Sequence, residues 1–173
     1  MKFADIPQFT RMPNYNVHVP WDYLEQWINN HANEHGQTLD LSPVYQRGHV
    51  WTEEQQVRYV EYVLRGGKSG LDIHFNCPGW MSNHPSQHIE LVDGKQRLNA
   101  VLRFLHNEIK AFGAYLNEYT DSMRMANVHF NIHVNNLKTQ KAVMQWYVDM
   151  NSGGTVHTSE EIERVKALII AEK

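Results

Sequence analysis

Cysteine is nearly missing from this chain: Cys77 stands alone among 173 residues. An internal disulfide is excluded, and a reducing compartment is the expectation. Long hydrophobic runs are missing as well. No stretch approaches the roughly 18 apolar residues of a membrane-crossing helix. Phe3 and Ile6 stand isolated among polar residues and Pro7, which is not the apolar core of a secretory signal. The expected location is cytoplasmic, with no membrane partner. Positive charge is not in excess either. The formal net charge is −3, so no global field recruits nucleic acid, and any contact with it would need a local patch. Metal-binding spacings are absent despite eleven histidines. Neither Cys-x-x-Cys nor His-Glu-x-x-His occurs, and the pairs His31/His35 and His129/His133 lack the further converging ligands that zinc needs.

What is present fits one globular unit. Hydrophobic residues make up 42% and charged residues 20%, and the length allows a real core. Pro7, Pro13 and Pro20 make residues 1–19 read as an irregular arm. Trp21–His31 reads as a helix with Leu24, Trp27 and Ile28 on one side, and Thr38–Leu41 as a short strand. Thr52 with Gln55 is a capping box opening a helix over Thr52–Arg65, with Val57, Val60 and Leu64 inward and Gly66-Gly67 at its end. A strand near Leu71–Phe75, a Pro/Gly/Asn-rich loop over Asn76–Gln87 and a strand Ile89–Val92 follow.

Leu98, Val101, Leu102 and Leu105 recur at helical spacing and predict a helix over Lys95–His106. Glu108–Phe112 reads as extended, and Val128, Phe130, Ile132 and Val134 alternate as a half-buried strand. Lys138–Met150 reads as a helix. A last helix, opened by a Thr158/Glu161 capping box, turns Ile162, Val165 and Ile169 inward. Strands separated by helices give an α+β class with a small mixed sheet and flanking helices. The chain divides into an N-terminal arm and helix over 1–37 and a globular unit over 38–173.

The most informative stretch is Glu90-Leu91-Val92-Asp93-Gly94-Lys95-Gln96-Arg97, an apolar strand running into a cationic helix start. A helix N-terminus offers unpaired backbone N–H groups and partial positive charge. With Lys95 and Arg97 beside those donors, a phosphate could sit there. Other roles stay open: Asp93 and Gln96 also form a capping box, and Arg97 could pair with Asp93 or Glu90.

A second polar motif, Gln46-Arg47-Gly48-His49-Val50-Trp51, precedes the Thr52–Arg65 helix, and a third, Met150-Asn151-Ser152-Gly153-Gly154, precedes the last helix. In this order the motifs resemble the ParB/sulfiredoxin-fold family found in the DNA-modification-dependent defence proteins GmrSD and SspE. That family commonly reads Gln-Arg-Pro-aromatic-x-Trp, then Asp-Gly-Gln-Gln-Arg-Leu, then Asn-x-Gly-Gly. Gln46, Arg47, Trp51, Asp93, Gly94, Gln96, Arg97 and Leu98 match. Gly48 and His49 replace the proline and aromatic, and Lys95 replaces the middle glutamine and adds positive charge. The resemblance spans roughly residues 38–170 and implies a ParB/sulfiredoxin-like domain over 38–173.

It further implies a nucleotide-binding, NTP-hydrolysing domain using Mg²⁺ with ATP or GTP, linked to DNA modification, phage defence or counter-defence. Asp93, Arg97 and Arg47 are then the catalytic candidates, with Asp93 as metal ligand. Gln46, Arg47, Gly94, Lys95, Gln96, Arg97, Asn151 and Gly153 are the candidates for holding the nucleotide. DNA or a DNA-targeting protein would be a further partner. The long additional domain of nuclease relatives is not expected here. Two other readings stand beside this one: a DNA-binding or DNA-cleaving ParB-like module, and a catalytically inactive protein-interaction module.

Overall fold

Strand alternation decides how the sheet is used. In the segment His129–Asn135, Phe130, Ile132 and Val134 are buried while His129, Asn131 and His133 stay half-buried. Side chains on a strand face opposite ways in turn, so one face is apolar and the other polar. The computed structural model of the protein describes residues 2, 5, 6, 15–33, 38–46, 48, 50–80, 88–152 and 159–171. Its strands are β1 (Tyr15–Pro20), β2 (Thr38–Asp40), β3 (Asp72–Asn76), β4 (His88–Asp93) and β5 (His129–Asn135). Its α-helices are α1 (Leu24–Asn33), α2 (Glu53–Leu64), α3 (Lys95–Leu105), α4 (Gln140–Ser152) and α5 (Ser159–Ala171).

The strands form one mixed sheet in the order β1-β5-β3-β4-β2. Pairing is antiparallel for β1/β5 and β3/β4, and parallel for β5/β3 and β4/β2. This is a mixed α+β fold. The apolar face carries the main core, in which Ile73, Phe75, Ile89, Leu91, Phe130 and Ile132 meet Leu24 and Trp27 of α1, Val60 and Val63 of α2, and Leu98, Val101 and Phe104 of α3. Val92, one residue along from Leu91, faces the other way and joins Tyr45, Val143, Met144, Tyr147 and Val165 in a second cluster with α4 and α5. Burying each large apolar side chain is worth about 1.5–3 kcal/mol. An exposed ion pair such as Arg58–Glu54 contributes only about 0.3–0.5 kcal/mol. The cores therefore set the architecture. Among the described residues no helix is long and apolar enough to cross a membrane.

Several local expectations need correction. Tyr15–Pro20, read as part of an irregular arm, is an edge strand paired residue for residue with β5. Its proline sits at the strand end, where no ladder hydrogen bond is lost. Trp21–Tyr23 is a 3-10 turn, and the α-helix starts only at Leu24. Glu108–Phe112 is not extended. A tight turn forms there, with Phe112 and Gly113 at positive φ and reciprocal hydrogen bonds between Ala111 and Ala114. The Thr52/Gln55 capping box is present. The Thr158/Glu161 box lies outside the described residues.

The Asp93/Gln96 capping box does not form. Asp93 still belongs to β4, and Gly94 takes the N-cap position of α3 at φ +105, with no side-chain cap. A carboxylate one residue before the cap cannot do the capping, so both side chains turn to other partners. Gly94 is required here twice over. Its φ lies where L-residues are strained, and an added Cβ would fall 2.4 Å from Ile73 Cδ1 and 3.3 Å from the Ile73 Cα. Gly94→Ala should therefore destabilise the protein by about 1–3 kcal/mol, read as a lower urea midpoint. A midpoint equal to that of the unaltered protein would show that the junction is not strained.

Candidate functional site

A cleft of about 500 Å³ opens at the end of β4 and the start of α3. Its lining draws on all three sequence motifs: Gln46 and Trp51 from the first, Asp93 to Arg97 from the second, Asn151 from the third. Arg47, His49, Gly153 and Gly154 lie outside the described residues.

Gln96 joins the first two motifs. Its side-chain Oε1 accepts from the Val50 and Trp51 amides at 3.1 and 3.2 Å, and its Nε2 donates to the Gly48 carbonyl at 3.1 Å. The side chain is 9% exposed. Three of the four hydrogen bonds a glutamine can make thus go to the loop before α2. Gln46 ties the same loop to the sheet by donating through Nε2 to the Leu91 carbonyl. Gln56, 1% exposed, donates to the Trp51 carbonyl at 3.1 Å and accepts from Arg103 at 2.6 Å. On the far side, Arg164 of α5 donates to the carbonyls of Val44 and Tyr45 at 3.2 and 3.1 Å. Beneath lies buried Glu90, whose Oε2 accepts from the Tyr45 hydroxyl and from Gln140, both at 3.0 Å. Burial pushes the Tyr45 phenol well above its ordinary value, and Glu90 adds to the effect. Tyr45 stays a neutral donor.

Asp93 and Arg97 form an ion pair one helical turn apart, each partly exposed on the cleft. Of the two pairings open to Arg97, the Asp93 one is made. The other Asp93 oxygen, Oδ1, makes no hydrogen bond among the described residues. Lys95 lines the cleft one residue past Gly94. The first amides of a helix have no partner within it, so partial positive charge gathers where Lys95 and Arg97 stand. Asn151 donates to the Tyr147 carbonyl of its own helix at 2.7 Å, and Tyr147 also lines the cleft.

Three aromatic residues complete the wall. Trp51 is partly buried against the main core and packs on Tyr59, ring centres 5.4 Å apart. Tyr59 and Tyr62 both reach the cleft from α2. Burial raises the Tyr59 phenol above its ordinary value, and Arg97 nearby opposes the rise. The tyrosines escaped the sequence reading because their spacing on α2 looks like any helical stripe. Ser69 and Gly70 also line the cleft, and their signal was the glycine-rich run Gly66-Gly67-Lys68-Ser69-Gly70.

A second missed group lies on the polar face of the sheet. His74, the cross-strand partner of Asp93, stacks on His133 at 4.6 Å, and Trp146 meets it edge-on at 5.8 Å. His133 pairs with Asp72 at 2.8 Å. Buried His74 Nδ1 has no hydrogen-bond partner among the described residues. Burial lowers the His74 pKa, with His133 and Arg97 adding to the shift and Asp93 and Asp72 opposing it. No group of three or more metal-ligating side chains occurs among the described residues. His31 is packed between Trp27 and Trp80, and Cys77 is buried.

An α+β domain with a polar, cation-edged cleft at a strand-to-helix junction is the class this arrangement defines. Residues 24–128 match the family model of the GmrSD restriction endonuclease, N-terminal domain. That span is more than half of the chain, and the chain belongs to this family. The match includes the first two motifs and ends before Asn151. No curated protein and no solved structure matches the chain.

Two outcomes follow from this geometry. Gln96→Leu should leave two amides and a carbonyl, only partly shielded from water, without this partner, at about 1–3 kcal/mol in all. Hydrogen exchange at Val50 and Trp51 should accelerate more than at Ile132, and uniform protection across all three would refute the clamp. His74, held below the ordinary imidazole value of 6.5, binds its proton more readily in the unfolded chain. Its contribution to stability is whole above about pH 6.5 and shrinks as the pH falls beneath that value. His74→Gln should flatten the fall in urea midpoint on acidification through this range. An unchanged slope would remove His74 as its source.

Proposed function

We propose that this chain is a nucleotide-binding domain that hydrolyses ATP or GTP with Mg²⁺, acting within a DNA-targeting system of phage defence or counter-defence. The observation that carries this reading is one cleft holding both an anion-binding edge, Lys95 and Arg97 at a helix start, and an aromatic wall, Trp51, Tyr59 and Tyr62. A nucleotide needs both: phosphates favour helix N-termini and arginine forks, and a base favours aromatic faces. The matched family is named for a restriction endonuclease, which supports the placement in restriction of modified or phage DNA. The narrower ParB/sulfiredoxin-like reading of the fold is carried by the motif resemblance.

In this reading Arg97 and Lys95 bind and orient the phosphates, and the Asp93 ion pair holds the Arg97 fork in place beforehand. Positioning and charge stabilisation supply most of the catalysis of phosphoryl transfer, so this short inventory is sufficient. Mg²⁺ is commonly held by one or two carboxylates plus substrate phosphates. Asp93, with one oxygen not engaged among the described residues, fits that donor set. Bound there, the ion would neutralise charge on the phosphates. Gln46 and Gln96 keep the Trp51 side of the cleft in register with the cationic side.

Calorimetric titration with ATP and GTP, together with phosphate release with and without Mg²⁺, tests the reading. Arg97→Ala should weaken binding by about tenfold to a hundredfold, the equivalent of about 1.5–3 kcal/mol for a charge-assisted contact. Asp93→Asn should impair hydrolysis more than binding, because it removes the metal-binding charge while keeping the side-chain shape. If the unaltered protein binds neither nucleotide at millimolar concentration, the enzymatic reading falls.

A further inference from the structure

The connection from α2 to β3 reads Gly66-Gly67-Lys68-Ser69-Gly70, and Ser69 and Gly70 line the same cleft as Lys95 and Arg97. Gly66 and Gly70 adopt positive φ, +88 and +70. A Cβ on Gly67 would lie 2.3 Å from the Tyr62 ring, so the backbone rests directly on that ring. A Cβ on Gly70 would lie 3.6 Å from Arg97 Cδ, so the loop reaches the cationic edge. Two tyrosine hydroxyls hold the loop. Tyr59 donates to the Gly70 carbonyl at 2.6 Å, and the Tyr62 hydroxyl shares a 2.7 Å hydrogen bond with Ser69 Oγ. The Ser69 amide donates to the Tyr62 hydroxyl at 3.3 Å. Lys68 is exposed and pairs with no carboxylate among the described residues.

We propose that Gly66–Gly70 is a second phosphate-gripping element, with Lys68 as its cation and the Ser69 amide as its donor. The polyphosphate of a nucleotide is then held between this loop and the start of α3. The inference rests on the nucleotide reading above and names residues which that reading leaves out. Charge supports it. The described charged groups lining the cleft are Asp93, Lys95 and Arg97, which leaves one net positive charge, far less than a polyphosphate carries. Lys68 precedes the lining residue Ser69 in the chain and adds a positive charge to this loop. Exchange is also favourable: a 3.3 Å bond to a phenol is long, and a charged phosphate oxygen is the stronger acceptor. Glycines let backbone approach a ligand closely. The order helix, loop, strand is the reverse of the strand–loop–helix order of a P-loop, so loop geometry, not motif identity, carries the argument.

The test is calorimetry on the full chain with Mg-ATP, Mg-GTP, inorganic tripolyphosphate and adenosine. Lys68→Ala should weaken binding of the three phosphate-bearing probes by about tenfold and leave adenosine unaffected. Lys68→Arg should retain most of the affinity. Lys166→Ala, whose lysine pairs with Glu163 on α5, serves as a charge-matched control and should change nothing. If the unaltered protein binds nucleotide and Lys68→Ala binds it equally well, the loop proposal is overturned and the nucleotide reading stands. Equal weakening of adenosine would also overturn it, because the loss would not be one of phosphate contact. If the unaltered protein binds neither nucleotide nor tripolyphosphate, both readings fall.

Discussion

One amide side chain determines how the cleft is assembled. Gln96 leaves the first turn of α3 and takes up the amides of Val50 and Trp51 and the carbonyl of Gly48. Those backbone groups belong to a loop with no ladder of its own. Backbone polar groups shielded even in part from water gain from fixed partners, and this glutamine supplies three hydrogen bonds at once. The loop carries Gln46 at one end and Trp51 at the other, so fixing it to α3 sets the distance between the aromatic wall and the cationic edge.

The same economy runs through the surroundings. Gln46, Gln56, Tyr45, Gln140 and Arg164 each fasten a segment next to the cleft through a buried or partly buried hydrogen bond. Such networks rigidify a site when every member is satisfied and destabilise it when one is not. Charge is treated differently. Asp93 and Arg97 pair at the cleft surface, where water still reaches them, and Lys95 stands beside them. A rigid polar frame around a small exposed charge cluster suits the binding of an anion, since the frame is organised before the ligand arrives.

Family membership and geometry bear on different parts of the chain. The family match covers the first two motifs. The aromatic wall and the glycine loop are features of α2 and its exit, and their place on the cleft comes from the packing of α2 against α3. Asn151 reaches the cleft from α4, on the other face of the sheet from those helices, so the site sits where the two cores meet at the end of β4.

Read alone, the sequence determined the strands and helices whose period is unbroken. α2 carried its own cap in Thr52 and Gln55, α3 its leucine spacing, and β5 its alternation. Each is a local signal that needs no distant partner. The three motifs were also legible, because polar residues clustered at element ends stand out from an apolar background. Tertiary structure decided the rest. β1 becomes a strand through pairing with β5, a partner more than a hundred residues away, although its flanking prolines argue locally for an arm. Asp93 and Gln96 match a capping box in spacing, yet the chain enters α3 through a left-handed Gly94. One residue turned to Arg97, and the other to a loop some 45 residues upstream. Spacing records which groups are near along the chain, and only packing settles which of several possible partners a side chain reaches.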